Sequence, residues 1–318
     1  MRLSKLLSVV AICSLGLTLN ANEEARITYK SAKSSSSYYQ MAVQIGENIT
    51  KKTDKKLQIT IEESQGSVQN VKEVRKRKGN YIFTTPPVLV KLALAKKAMF
   101  KKDNPKDYEK IRSLFPIPFL TMHMVVSQKS GIKTFEDLEG KSLLIGKGSF
   151  GAKEAAKYIK LFGLEGKTKL IGAELSGAVA ALKNGQIDGF ATSGSYPAPN
   201  VIEAVASTKI NILSMSDEQI KLTKRDKLVI PAGTYSGIDT DITTTTLPVG
   251  VYTTTNMSEE TAYKFTKAFW ESKTDLEKQN IWWKAITPSN LAMFNTKLHI
   301  GALKYYNEIN ANIPEKLK

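Results

Sequence analysis

The residues able to do chemistry fall in short hydroxyl- and glycine-bearing stretches: Ser34 to Tyr38, Gly66-Ser67, Gly146 to Gly151 and Thr192 to Tyr196. The third is the most informative. Leu143 to Ile145 is a short apolar run, and beyond the Gly146-Lys147-Gly148-Ser149-Phe150-Gly151 turn, Ala152, Ala155, Ala156 and Ile159 repeat at the spacing of a helix face. Gly163 closes that helix. Strand, glycine turn and helix in this order leave backbone N–H groups unpaired at the positive end of a helix dipole, which is a seat for an anion. Ser149 with the N–H groups of Phe150 and Gly151 would grip the anion, and Phe150 would cover an apolar part of it. Ser36, Ser37 and Tyr38 offer a second seat, with Ser36 or Ser37 as helix cap. Ser67 follows a glycine in the same way.

Other chemistries fit poorly. His123 and His299 are the only imidazoles, and neither is spaced with another metal ligand. The single cysteine, Cys13, lies in an apolar leader. Ser149 is not in Gly-x-Ser-x-Gly, because Lys147 occupies the first glycine position. No catalytic residue, metal site or cofactor is therefore expected. One alternative stays open: residues 146–151 also spell Gly-x-Gly-x-x-Gly, so the chain could be an exported dinucleotide-binding oxidoreductase. That fingerprint normally places its acid about 20 positions on. Here Glu174 stands 28 positions beyond Gly146. A tight turn without a ligand and a surface antigen that does not transport are further readings of the same residues.

The elements that must position these residues follow from periodicity. Met1 to Lys5 is basic, Leu6 to Leu19 is apolar and Ala21 is small, so 1–21 reads as a cleavable secretory signal peptide that sends the chain to the periplasm. The remainder carries no later run long enough to cross a bilayer. Net charge is +16, or +14 without Arg2 and Lys5, but six of 46 basic residues are arginines. Arginine is the side chain suited to bidentate phosphate recognition. Runs such as Lys51-Lys52 and Lys101-Lys102 are solvated surface rather than a nucleic-acid patch.

Along the chain, Ile27 to Tyr29, Leu57 to Ile61 and Tyr81 to Thr84 read as strands. The helices between carry Tyr38, Met41, Ala42, Ile45 and Ile49, then Val68, Val71 and Val74 up to Gly79. A third helix runs from Pro86-Pro87 to Ala98. A second alternation begins with the central turn and adds strands at Leu170-Ile171, Ile187 to Thr192 and Ile210 to Leu213. Ser176 is read as the cap of the helix through Leu182, and another helix holds Val201 to Val205. Alternation of this kind predicts parallel strands with crossover helices. The β-branched run Thr243 to Val251 reads as a return crossing. It is followed by a helix capped by Ser258 and by a last helix from Pro288 carrying Leu291, Phe294, Leu298 and Ala302. Two α/β lobes joined by two crossings make a hinge, with a ligand cleft at the carboxyl ends of strands. The expected division is 22–118 for lobe I, 119–247 for lobe II and 248–318 for the return to lobe I. Thr84, Ser193, Gly194 and Ser195 then sit at strand ends facing the cleft, and Tyr235 lies near the return crossing as a ligand contact or hinge packing.

Several blocks resemble the TAXI family of solute receptors, which serve tripartite ATP-independent periplasmic (TRAP) transporters. They are Ser37-Tyr38-Tyr39, Gly66 to Asn70, Ser130-Gly131-Ile132 with Asp137 to Lys141, Ile145-Gly146, Ala178 to Phe190 followed by Gly194, Pro197 and Pro199, and Ile230 to Tyr235. They span most of the chain in family order. The resemblance implies a type II periplasmic binding-protein fold, a monomer that closes on a small organic anion without chemistry, and delivery to TRAP membrane permease subunits. The chain departs from the family at Ser34 to Ser37, at Phe150-Gly151 and at Thr84 to Pro87, where the ligand is expected.

Overall fold

The computed structural model describes residues 25–318; the signal-peptide reading of 1–21 and Cys13 lie outside them. The chain opens with β1 (Ala25–Lys30), α1 (Ser37–Lys52), β2 (Leu57–Glu62), α2 (Ser67–Glu73), β3 (Tyr81–Thr85) and α3 (Pro87–Leu94). The long strand β4 (Ile111–Ser127) leads into β5 (Ser142–Leu144), α4 (Phe150–Leu161), β6 (Lys169–Ile171), α5 (Ala178–Lys183), β7 (Gly189–Gly194), α6 (Pro199–Ser207), β8 (Ile210–Ile212), α7 (Asp217–Thr223) and β9 (Asp226–Ile230). A second long strand, β10 (Ile242–Thr254), returns to α8 (Glu259–Glu271), α9 (Lys273–Gln279) and α10 (Ile300–Glu308).

Helix faces follow the apolar spacing. In α1 the buried side is Tyr38, Met41, Ala42, Ile45 and Ile49, and in α8 it is Ala262, Phe265, Thr266 and Phe269. The sheet runs β2-β1-β3-β10-β4-β7-β5-β6, with β8 added to β4 and β9 to β10. Pairing is parallel within β1, β2 and β3 and within β5, β6 and β7. The two parallel blocks are joined by β4 and β10, which run antiparallel to each other and to their neighbours. One end of β10 pairs β9 and the other pairs β3, so each long strand belongs to both lobes. Proline cannot donate to a ladder, and the β4–β10 register slips between Leu247 and Val249, at Pro248 and opposite Pro118. The fold is the two-lobed α/β architecture expected.

Several element assignments are corrected. The helix expected from Pro288 is a 3-10 turn, Pro288–Met293, followed by extended backbone at Phe294 and then α10. Phe294 leaves the helical path because its ring packs edge-on against Tyr252, 5.3 Å between centroids, in space kept open by Gly250. His299 N–H donates to Ser113 O at 2.9 Å, which fixes the start of α10 on β4. Ser176 sits in a 3-10 turn, and Gly177 precedes α5 instead. α2 and α3 end at Glu73 and Leu94, short of Gly79 and Ala98.

Candidate functional site

The central turn forms as its glycines require. Gly146 and Gly148 take φ of +80° and +69°, a region costly for any residue with a Cβ. Ser149 then caps α4, its Oγ accepting from Ala152 N–H at 2.9 Å. The first-turn N–H groups of Phe150 and Gly151 have no intrahelical acceptor. Gly151 packs against β7 so closely that a Cβ there would stand 2.0 Å from Ser193 Oγ. Further along, α4 is pinned by buried Glu154, whose carboxylate accepts from Arg225 Nε at 2.8 Å and Nη2 at 2.9 Å. Tyr158 Oη lies 2.9 Å from Thr245 Oγ1, with burial raising its pKa to about 12.

Opposite it, α1 is set the same way. Ser36 is the cap, accepting from Tyr39 N–H at 3.2 Å, which leaves the N–H groups of Ser37 and Tyr38 open. Ser31 Oγ donates to Tyr38 O at 2.7 Å and Tyr38 Oη donates to Pro118 O at 3.1 Å, so the first turn of α1 is tied to the crossing strand.

Both helix starts line one cavity of about 80 Å³. From lobe I come Ser36, Tyr38 and Ser67 with Lys33 and Gln65; from lobe II come Ser149, Phe150, Gly151 and Ser193 with Lys147, Glu174 and Leu175. The lobes are in contact over it. Glu174 accepts from Lys33 Nζ at 3.5 Å and Gln65 Nε2 at 3.4 Å, and a Cβ on Gly66 would lie 3.8 Å from Ser149 Cβ. Each cap serine accepts a backbone N–H and keeps its own O–H to donate. The cavity therefore presents two helix dipoles, the open amides of Tyr38, Phe150 and Gly151, two hydroxyl donors and the ammonium of Lys147, an arrangement that stabilises negative charge.

Five of the residues expected to bind are placed elsewhere. Ser37 is buried, its Oγ accepting from Ser195 N–H at 2.9 Å, so it joins the lobes and does not line the cavity. Gly194 makes room for this contact, since a Cβ there would lie 2.5 Å from Ser37 Oγ. Ser195 Oγ donates to Phe119 O at 2.8 Å. Thr84 is buried in lobe I, where Oγ1 meets Tyr29 Oη at 2.9 Å and its carbonyl accepts from Asn70. Tyr235 is buried in lobe II, where its Oη accepts from Ala198 N–H at 2.9 Å and reaches His123 Nε2 at 2.8 Å. Burial raises the pKa of this tyrosine and lowers that of His123 to about 4. Gln65 and Leu175 line the cavity with no sequence signal beyond nearby glycines, and Leu120 lines it with none. His299 caps α10 through Nδ1, and among the described residues no cluster of His, Cys, Asp or Glu could hold a metal.

The fold is two-lobed α/β, and one cavity lies between the lobes. Among solved structures, one described as a periplasmic transporter aligns over 79% of this chain and 83% of its own, with a TM-score of 0.56 and 13% identity. An ancestral arginine-binding protein bound to arginine aligns over 82% and 97%, at a TM-score of 0.48 and 14% identity. The alkanesulfonate-binding protein of Xanthomonas axonopodis pv. citri bound to MOPS aligns over 92% and 81%, at 0.44 and 13%. Residues 30–309 match the NMT1-like family model, and the chain belongs to that family.

Proposed function

We propose that this chain is an extracytoplasmic solute-binding receptor that closes over a small organic anion, a dicarboxylate or acidic amino acid, and delivers it to the permease subunits of a TRAP transporter of the TAXI type. One observation carries the reading: two helix N-termini, one per lobe, bring open amides and serine hydroxyls to a single cavity. The resemblance of residues 37–39, 66–70 and 178–190 to the TAXI receptors supplies the transporter class. The reading takes lobe boundaries at 118/119 and 247/248, where the β4–β10 register breaks, and a leader at 1–21 that exports a monomer to the periplasm. Micromolar affinity requires about 8 kcal/mol. A few charge-assisted hydrogen bonds at roughly 1.5–3 kcal/mol each are sufficient.

A dinucleotide is disfavoured. The cavity of about 80 Å³ is small, and Glu174, the acid that would hold a ribose, is held by Lys33 and Gln65 of the other lobe. A thermal-shift screen of L-glutamate, L-aspartate, succinate, 2-oxoglutarate, NAD and NADP on ligand-stripped protein tests the reading. Ligand at a hundred times Kd stabilises by about 2.7 kcal/mol. A melting temperature raised by one acid and unmoved by the nucleotides is expected. Response to a nucleotide alone, or to none of the anions, refutes it.

A further inference from the structure

Lysine collects at one pole of lobe I. β1, β2 and β3 run parallel with their carboxyl ends towards the cleft, so their amino ends, with the start of β4 and the end of β10, form the opposite pole. Two connecting segments lie there. Residues 51–56 lead from α1 into β2, and Ala25 N–H donates to Lys56 O at 2.8 Å; residues 95–110 lead from α3 into β4, and Thr255 N–H donates to Lys110 O at 2.9 Å. The first segment holds four lysines and one acid, Asp54; the second holds six lysines and three acids, Asp103, Asp107 and Glu109. β2 and β4 are four places apart in the sheet, about 19 Å at the usual strand spacing, so the charge covers a broad area.

Two observations set this pole apart. Elsewhere lysines commonly meet carboxylates, as Lys160 meets Glu165, Lys167 meets Glu139 and Lys267 meets Glu308. Among the described residues none of the ten lysines of the two segments does so. Asp103 offers them little, since it is buried and accepts from Arg75 Nη1 at 2.9 Å and Tyr108 Oη at 2.7 Å. The second observation is backbone. Of six described non-glycine residues with positive φ, four are Asp54, Lys55, Lys96 and Ala98, in these two segments. That conformation costs about 1–2 kcal/mol for a residue with a Cβ, and here it shapes turns on which Lys55, Lys96 and Lys97 are exposed. The base under the second segment is packed: Phe100 meets Tyr108 edge-on at 5.7 Å, and the Lys72 ammonium lies 5.8 Å from the Phe100 ring centre. Like charges held together on a firm base repel one another, and an external anionic surface relieves that cost.

Lysine is a hydrated point charge without the fork by which arginine reads a single phosphate. Phe100 and Tyr108 are buried, so neither offers a ring for a nucleic-acid base to stack on. Such a surface suits a wide array of fixed negative charge. We infer that this pole of lobe I docks on a bilayer bearing anionic lipid headgroups. Adsorption there leaves the cleft, at the other end of lobe I, open to solution, and the inference does not depend on which solute the cleft takes. Attraction of this kind is screened by salt.

The test is co-sedimentation of the chain from residue 22 onward with vesicles of phosphatidylcholine alone or with 30% phosphatidylglycerol. Binding to the anionic vesicles in 50 mM NaCl, its loss in 500 mM NaCl and no binding to phosphatidylcholine are expected. The combined variant Lys96→Gln, Lys97→Gln, Lys101→Gln and Lys102→Gln should weaken binding about 100-fold or more, at roughly fivefold per lysine. A second variant, Lys169→Gln, Lys183→Gln, Lys209→Gln and Lys221→Gln, removes the same charge from exposed positions on separate elements of lobe II and should bind within a few fold of the wild type. Equal loss in both variants overturns the inference, because net charge and not the pole would then govern adsorption. So does failure to bind the anionic vesicles at 50 mM NaCl, or binding to duplex DNA that the first variant abolishes while vesicle binding stays unchanged.

Discussion

Replacing His123 with Gln should remove a pH dependence of stability that the native packing creates. His123 is buried in β4 opposite Thr192 of β7. Tyr235 Oη already accepts from Ala198 N–H, so its own hydrogen points to His123 Nε2, and the ring is held as the neutral base. Burial lowers its pKa from 6.5 to about 4, offset slightly by the Thr121 carbonyl. Between those values the unfolded chain takes up a proton that the folded chain refuses, so stability is fully present above pH 6.5 and is lost as pH falls towards 4. From these two pKa values the loss is about 1.4 kcal/mol at pH 5.5 and about 3 kcal/mol at pH 4. A domain stable by about 5–15 kcal/mol registers either. The Gln variant keeps an acceptor for Tyr235 and has nothing to titrate. Urea unfolding of both proteins at pH 7.5 and 5.5 is the assay, a window above the carboxylates such as Glu62 and Glu73, which are held below 4.5. The wild type should lose about 1.4 kcal/mol more than the variant across it. Equal losses would show that His123 is free to protonate in the folded state and would refute the packing argument.

Gly151→Ala places a methyl 2.0 Å from Ser193 Oγ and 2.8 Å from Ser193 Cβ, so α4 must shift; calorimetry should show at least a tenfold loss of solute affinity, about 1.4 kcal/mol, with partial recovery when Ser193→Gly is added. Glu154→Gln leaves Arg225 without its carboxylate at a mostly buried site, and chemical denaturation should report a loss of about 3 kcal/mol. Glu174→Gln removes a partly exposed interlobe ion pair, so stability should change by under about 1 kcal/mol, while small-angle scattering should show a larger radius of gyration without ligand. Unchanged scattering in that variant would mean that Glu174 does not bias closure.

What was legible in the sequence was what repeats. The faces of α1, α4 and α8 follow from apolar residues every three or four positions, and hydroxyls ahead of two of those faces mark the cap Ser258 and narrow the cap of α1 to Ser36 or Ser37, of which the structure uses Ser36. The glycine turn at 146–151 announced itself because left-handed backbone selects glycine. Long-range contacts have no period. Pro116 and Pro118 argue locally against a strand, yet Ile111–Ser127 is one 17-residue strand, because its ladder partners come from β10, β7 and β8, far away in sequence. The pairing of Ser37 with Ser195, 158 positions apart, turns an apparent ligand hydroxyl into an interlobe contact. Thr84 and Tyr235 carry polar groups that suit a ligand, but each finds an internal partner, Tyr29 and His123. A hydroxyl in a sequence does not reveal whether its acceptor is solute or protein.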